Sequence, residues 1–232
     1  MEGKLWRNSL GEGVLMNHEE WIKINTRFVR GHAKNFIEGD WPNVEWFVTC
    51  GPHYGASPRY RWAKRKIHKH LQDGMTVLDI GGGIGAFGTY FTAVMGHRFN
   101  YINLEMRDFV NLTPEYFAAF GLPWNDHQIV QLDALKERLP FDAETFDMIW
   151  MFGWYDSRRG FDKLFPEMFH ILKPGGVLFF NVLDERAKPP NSKITISRPQ
   201  LEKTLIENGY DILFLGLVPG DNDYRVMCGK PK

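Results

Sequence analysis

Residues Val77 to Phe87 read VLDIGGGIGAF. An apolar stretch broken by one acid runs into three consecutive glycines, and Gly85 and Gly88 follow where a helix can begin. This is the pattern of a buried parallel strand, a tight turn with no Cβ in the way, and a helix N-terminus facing whatever lies over the turn. Such a unit belongs in a layered α/β fold, with a nucleotide-like ligand held by backbone at the carboxyl edge of the sheet. Which ligand it is turns on Asp79.

The rest of the chain past residue 70 alternates strand and helix patterns. Strands are expected at Val77–Ile80, Phe99–Leu104, Ile129–Leu132, Phe146–Phe152 and Val177–Leu183. FDMIWMF is almost wholly apolar, as a central strand covered on both faces should be. Helices are expected at Ala86–Gly96, Pro114–Phe120, Phe161–Leu172 and from Pro199 to the Gly209 cap, the third ending at the Pro174-Gly175-Gly176 break. Ile212–Val218 and Tyr224–Cys228, joined by PGDND, form a terminal hairpin. A β-α-β series ending in a hairpin gives a mainly parallel sheet with one antiparallel strand.

Residues 1–70 differ. They carry five of the eight tryptophans and two helical patterns, Glu19–Arg30 and Arg59–Leu71, around a Gly/Pro-punctuated stretch. The expected organisation is a helical N-terminal lid over 1–70, closing the ligand edge of a domain over 71–232. The plain alternative for any single tryptophan is that it glues a helix to the core.

Composition narrows the partners. Lys plus Arg equals Asp plus Glu, 28 against 28, so no global field draws the chain to nucleic acid or an anionic membrane. Two cysteines, Cys50 and Cys228, are too few for a disulfide framework. No apolar run reaches the roughly 18 residues of a membrane span. The opening MEGKLWRNSL has no apolar core of a secretory signal, so a cytoplasmic protein is expected.

Gly83, Gly85 and Gly88 also fit GxGxxG, with Glu105 about 20 residues on, where a dinucleotide enzyme places its ribose-binding acid. Three features argue against NAD. Asp79 at the strand end would repel a pyrophosphate but accept a hydrogen bond from an ammonium group. Asp133 ends the third strand within reach of an adenine amino group. A long segment also precedes the nucleotide strand. Against every such acid stands a simpler role as a helix or turn cap. Asp79 fits that role least, because an acid between Leu78 and Ile80 in a buried strand needs a partner.

VLDIGGGIGAF, Glu105 after strand two, LPFDAETFDMIWMF and LKPGGVLFFN, in that order, resemble the class I S-adenosylmethionine-dependent methyltransferases. The resemblance covers about residues 71–232. It implies a Rossmann-like seven-stranded sheet, mainly parallel, whose last strand is antiparallel, and S-adenosylmethionine as cofactor. By resemblance, Asp79 and Gly81, Gly82 and Gly83 hold the methionine portion. Glu105, followed by Met106, takes the ribose hydroxyls, Asp133 and Ala134 the adenine, and Met151 and Phe152 the wall beside the sulfonium. Tyr54 and Arg61 close over the cofactor, with Arg61 on its carboxylate.

The acceptor is less constrained. No Asn/Asp-Pro-Pro-aromatic motif follows strand four, where Met151-Phe152-Gly153-Trp154 stand, and no cysteine lies near strands four or five. Amino methylation of nucleic acid and covalent pyrimidine methylation are therefore not expected. The basic stretch from Arg59 to Lys69 raises an RNA-modifying alternative. Its Ala63, Ile67 and Leu71 nevertheless form an i, i+4, i+8 apolar stripe, so the charges read as the solvated face of a packed helix. Asp156 and Asp184 follow strands four and five and could share a hard cation, but the Asp-Asn pair of metal-dependent relatives is replaced by Asp184-Glu185, so no metal is expected.

The preferred reading is methyl transfer to an oxygen or nitrogen of a small-molecule acceptor. Trp154 and Tyr155 supply a surround for a flat or apolar acceptor, and His53 in GPHYG is the preferred general base. Tyr155 and Asp156 complete the catalytic candidates. A protein that binds the cofactor without transferring methyl is the alternative from another class. Oligomeric state is left open.

Overall fold

The computed structural model describes residues 16–34, 58–123, 127–152, 158–184, 195–217 and 223–232. Two helices, α1 (His18–Gly31) and α2 (Pro58–His70), precede the alternating series. The series runs β1 (Thr76–Ile80), α3 (Ala86–Ala93), β2 (Asn100–Glu105), a 3-10 turn over Asp108–Leu112, α4 (Thr113–Ala119), β3 (His127–Gln131) and β4 (Phe146–Met151). It continues through α5 (Arg158–Ile171), β5 (Leu172–Asp184), β6 (Thr195–Ile196), α6 (Arg198–Glu207), β7 (Asp211–Leu217) and β8 (Asp223–Gly229).

Among the described residues the strands form one sheet in the order β3-β2-β1-β4-β5-β8-β7, with the short β6 alongside the end of β5. β8 runs antiparallel to both its neighbours, while the pairs among β1 to β5 are parallel. The expected seven-stranded sheet with an antiparallel last strand is therefore present. Its geometry follows from the hairpin: β8 turns back from β7 and slots between β7 and β5.

Strand alternation sorts the core into two layers. Val77, Tyr101, Met148, Trp150, Phe179 and Met227 face the layer that contains α1 to α4. Leu78, Leu104, Ile149, Leu178, Phe180 and Val226 face the opposite layer, under α5 and α6. Asn17 caps α1 by accepting from Glu20 N at 2.9 Å, and Ser197 caps α6 through Gln200 N at 3.3 Å.

Both N-terminal helices are built into the first layer. Trp21 of α1 is fully buried, stacked on Phe120 at 5.8 Å and edge-on to Tyr90 at 5.3 Å. Tyr116 of α4 donates to Asn25 Oδ1 at 2.6 Å, locking α1 to α4. Ala63 and Ile67 of α2 and Leu71 just beyond it form a buried stripe, and Trp62 packs on Phe179 and Phe214 across β5 and β7. Arg61, Arg65 and Lys69 lie exposed on the outward face of this packed helix, whereas Lys64 is half-buried against Tyr90. Trp21 and Trp62 hold helices to the core. The stretch joining the two helices, residues 35–57, lies outside the described residues.

One expectation is corrected. Helix α5 ends at Ile171 and β5 starts at once, so Pro174-Gly175-Gly176 interrupts a strand instead of separating helix from strand. The register steps from Phe146↔Leu172 to Met148↔Val177, five residues of β5 spanning two of β4. This excursion is held by Gly175 N to Lys230 O at 2.8 Å and Lys230 N to Gly176 O at 3.1 Å, with Gly175 at φ 78. The sequence carries no sign of β6, whose two residues are too short for a periodic signal.

Candidate cofactor site

β1 and β2 lie side by side in parallel, with Asp79 opposite Asn103. The strand period of two puts Tyr101, Asn103 and Glu105 of β2 on one face, the face to which Asp79 of β1 also points. Four polar side chains therefore meet beside the glycine turn, in a layer otherwise lined by aromatic rings.

Asp79 is buried, and its Oδ2 accepts from the Tyr101 hydroxyl at 2.6 Å. Burial pushes its carboxyl up to about 7; the Tyr101 hydrogen bond works against that rise and the charge of Glu105 adds to it. Glu105 is also buried and also shifted up by burial, opposed by the Arg107 guanidinium and by backbone amides. Its Oε1 accepts from Met106 N at 2.9 Å, from Arg107 N at 3.3 Å and from Arg107 Nη1 at 3.3 Å. The carboxylate is thereby fixed in orientation at the carboxyl end of β2.

The turn between them is rigid for steric reasons. Gly81 N donates to Leu104 O at 2.7 Å and Gly85 N to Gly82 O at 2.9 Å. The Asn103 amide donates to Gly83 O at 2.8 Å. A Cβ on Gly82 would overlap Asn103 Oδ1 and stand 2.7 Å from Asp79 Oδ2. At Gly81, by contrast, a Cβ would meet nothing within 4 Å, and its φ is 71. The turn is therefore packed on its sheet side and open at Gly81. Gly88, one turn into α3, rests on Phe117 and Tyr101, where a Cβ would come within 2.9 Å of both rings. The third glycine of the spacing thus serves helix–sheet packing.

The other expected residues fall at different places. Met106 follows Glu105 and is 48% exposed, an apolar side chain standing at the rim. Asp133, just past β3, is largely committed to a turn cap. Its Oδ1 accepts from Leu135 N at 3.1 Å, and its Oδ2 lies 3.0 Å from Lys136 Nζ. Desolvation would raise this carboxyl, but Lys136 and the amides of the turn outweigh it and hold it below its ordinary value. Ala134 is buried in the layer under α5 and α6, as is Met151. Phe152 is half-buried at the exit of β4, stacked on Phe87 of α3 at 5.2 Å. Arg61 is exposed in the first turns of α2. His53, Tyr54, Tyr155 and Asp156 lie outside the described residues. Among the described residues no group of three or more His, Cys, Asp or Glu side chains is placed to hold a metal ion.

Sequence reasoning missed four residues of this layer. Tyr101 and Asn103 are polar positions in a strand buried on both sides, and that anomaly was their only signal. Arg107 neutralises Glu105 across two residues, which spacing alone does not reveal. Lys64 is a further member of the same layer: it donates to the Tyr90 hydroxyl at 2.7 Å, and burial followed by the charge of Arg61 brings it down to about 8.

Residues 56–213 match the family model described as a methyltransferase domain. The chain belongs to this family. Its sheet order and glycine turn are those of the class I, S-adenosylmethionine-dependent branch. Among curated proteins it is 30% identical over 122 residues to the ubiquinone/menaquinone biosynthesis C-methyltransferase UbiE of Vibrio vulnificus, covering 52% of this chain and 46% of that protein. The chain thus spans about half the length of the curated relatives it matches. The UbiE of Pasteurella multocida is likewise 30% identical, over 125 residues.

Solved structures share the fold. An S-adenosylmethionine-dependent methyltransferase from Aquifex aeolicus is 22% identical with a TM-score of 0.57, over 74% of this chain and 88% of that one. The [4+2]-cyclase SpnF is 14% identical with a TM-score of 0.61, over 99% of both chains.

The residues of this candidate site fit S-adenosylmethionine. Asp79 is a buried acid with a like charge nearby, suited to an ammonium group, and the space at Gly81 is open above it. Glu105, oriented by backbone amides, is suited to a pair of ribose hydroxyls.

Proposed function

We propose that this methyltransferase moves the methyl group of S-adenosylmethionine onto a small, flat acceptor. The observation that carries the reading is the convergence of Asp79, the Gly81–Gly83 turn and Glu105 at adjacent strand ends, with Phe152 and Phe87 stacked beside them. The cofactor supplies an electrophilic methyl on a sulfonium. The protein's part is alignment, exclusion of water and, where the acceptor carries a proton, its removal.

In this reading Asp79 and Gly81 to Gly83 hold the methionine portion, with Arg61 and Tyr54 closing on its carboxylate. Glu105 orients the ribose, and Met106, Asp133 and Ala134 flank the adenine. Phe152 walls the methyl-transfer position. His53 is the base for an oxygen or nitrogen acceptor, with Tyr155 and Asp156 beside the acceptor. Residues 1–70 close the site over the domain that begins at residue 71.

A second reading places the methyl on carbon. It is favoured by the C-methyltransferase names of the curated relatives. An electron-rich ring carbon fits the same aromatic surround, with the base removing the ring proton after attack.

The test is incubation of the protein with isotopically methyl-labelled donor and a metabolite extract supplemented with phenols, hydroquinones and aryl amines. Mass spectrometry then reads labelled products and S-adenosylhomocysteine. Acceptor-dependent formation of both is expected, and the position of the label distinguishes O, N and C. Tight cofactor binding with no S-adenosylhomocysteine from any mixture would refute methyl transfer and favour a non-methylating activity on the same fold.

A further inference from the structure

Asp79 is held in an unusual electrostatic position. It is buried between Asn103 on β2 and Trp150 on β4, its register partners, under the layer formed by α3 and α4. The groups acting on it from β2 are Tyr101, which donates to Oδ2 at 2.6 Å, and Glu105, a like charge. The nearby cation, Arg107, is engaged by Glu105. Gly85 and Gly88 rest on α4 through Thr113 and Phe117, and the first turn of α3 adds Ala86 and Phe87, none of which ionises. Among the described residues no cation acts on Asp79, so the positive partner of its ionised form is left for a ligand to bring.

Tyr101 has a fully buried ring, wedged against Phe117, Phe99 and Trp150 at centroid distances of 5.8, 6.1 and 6.1 Å. The packed ring holds its hydroxyl in place, and the hydrogen bond fixes one carboxylate oxygen of Asp79 on Tyr101. Asn103 performs the matching task for the turn, donating to Gly83 O and to Thr113 Oγ1 at 3.1 Å.

We propose that Tyr101 is a positioning residue of the cofactor site, and that docking of the cofactor's α-ammonium group on Asp79 expels the proton shared within the Asp79–Tyr101 pair to solvent. The inference rests on the reading that Asp79 receives the methionine ammonium. The balance is simple: neutral Asp79 loses its carboxyl proton, the cofactor stays a cation, and the new ion pair replaces the O–H bond. Since burial already brings Asp79 to about 7, the free site is divided between its two protonation states at neutral pH. Loss of the Tyr101 donor removes the hydrogen bond that, among the described residues, favours the ionised form.

The experiment is calorimetric titration with S-adenosylhomocysteine, which carries the same ammonium group and is unreactive, between pH 5.5 and 8. Two buffers of different ionisation enthalpy at each pH count the protons released. The wild-type protein is expected to release a fraction of a proton near pH 7, with Kd weakening up to about tenfold per pH unit on the acid side. In Tyr101→Phe the acid limb moves to higher pH by about one unit, so affinity at pH 7 falls up to about tenfold while affinity at pH 8 changes less. In Asp79→Asn binding is weaker and independent of pH.

An unshifted acid limb in a folded Tyr101→Phe protein overturns the role of Tyr101. Should that variant not fold, a wild-type protein that binds without proton release and with a pH-independent Kd overturns the proposal by itself. Asp79→Asn binding as tightly as wild type at pH 8 would instead sink the underlying assignment of Asp79 to the ammonium group.

Discussion

Replacing Asp79 by Asn should make the ligand-free protein more stable, and only above acid pH. The buried carboxyl titrates at about 7 against an ordinary value of 3.8. Below the ordinary value it is neutral in both folded and unfolded chains and costs nothing. As pH rises from there the unfolded chain ionises first, so stability is lost progressively until the folded-state value is passed, after which the deficit is constant. Three pKa units at 1.36 kcal/mol each put that deficit at about 4 kcal/mol. Asparagine keeps the size of the side chain and an acceptor for the Tyr101 hydroxyl, and cannot ionise.

Urea unfolding of the two proteins at pH 4 and pH 8.5 measures the difference. Near pH 4 their free energies should agree closely, whereas at pH 8.5 the variant should gain up to about 4 kcal/mol, roughly 8–16 °C in Tm for a chain of this size. A variant that is less stable at pH 8.5, or that differs from wild type equally at both pH values, refutes the reasoning. The gain in stability would come with weakened cofactor binding, as expected where a site stores unfavourable charge for a ligand to relieve.

Three other outcomes follow from the packing. Gly82→Ala should lower affinity for S-adenosylhomocysteine at least about tenfold by calorimetry, because its Cβ would collide with Asn103 and stand 2.7 Å from Asp79 Oδ2. Trp62→Ala should cost about 3–5 kcal/mol in urea unfolding, since the indole fills the space over Phe179 and Phe214. Tyr116→Phe leaves the buried Asn25 Oδ1 without its donor at 2.6 Å and should cost about 1–3 kcal/mol, with faster hydrogen exchange in α1.

Much of the cofactor half is legible in the amino-acid sequence. The Asp79-to-Gly88 stretch needs only neighbouring residues to make its turn, and the strand ends at Glu105 and Asp133 can be counted. What each acid does at its strand end is not legible there. Glu105 is buried and clamped by amides, whereas Asp133, of the same class, is drawn off by Lys136 into a cap. That difference depends on side chains brought in from the following turns. The Pro174-Gly175-Gly176 segment shows the same limit: its composition reads as a break, and only pairing with Lys230 on the far end of the chain turns it into an excursion within β5.

Alternation and glycine punctuation act over a few residues, so the sequence by itself determined the α/β layers, the antiparallel terminal hairpin and the turn at the end of β1. Register acts over distances of 20 residues and more. It set Tyr101 beside Asp79 and inserted β8 between β5 and β7, while packing of α2 on the sheet pressed Trp62 onto β5. Local backbone preference can name a strand and its faces, but which side chain of a neighbouring strand stands beside a buried carboxylate is decided only when the two are paired.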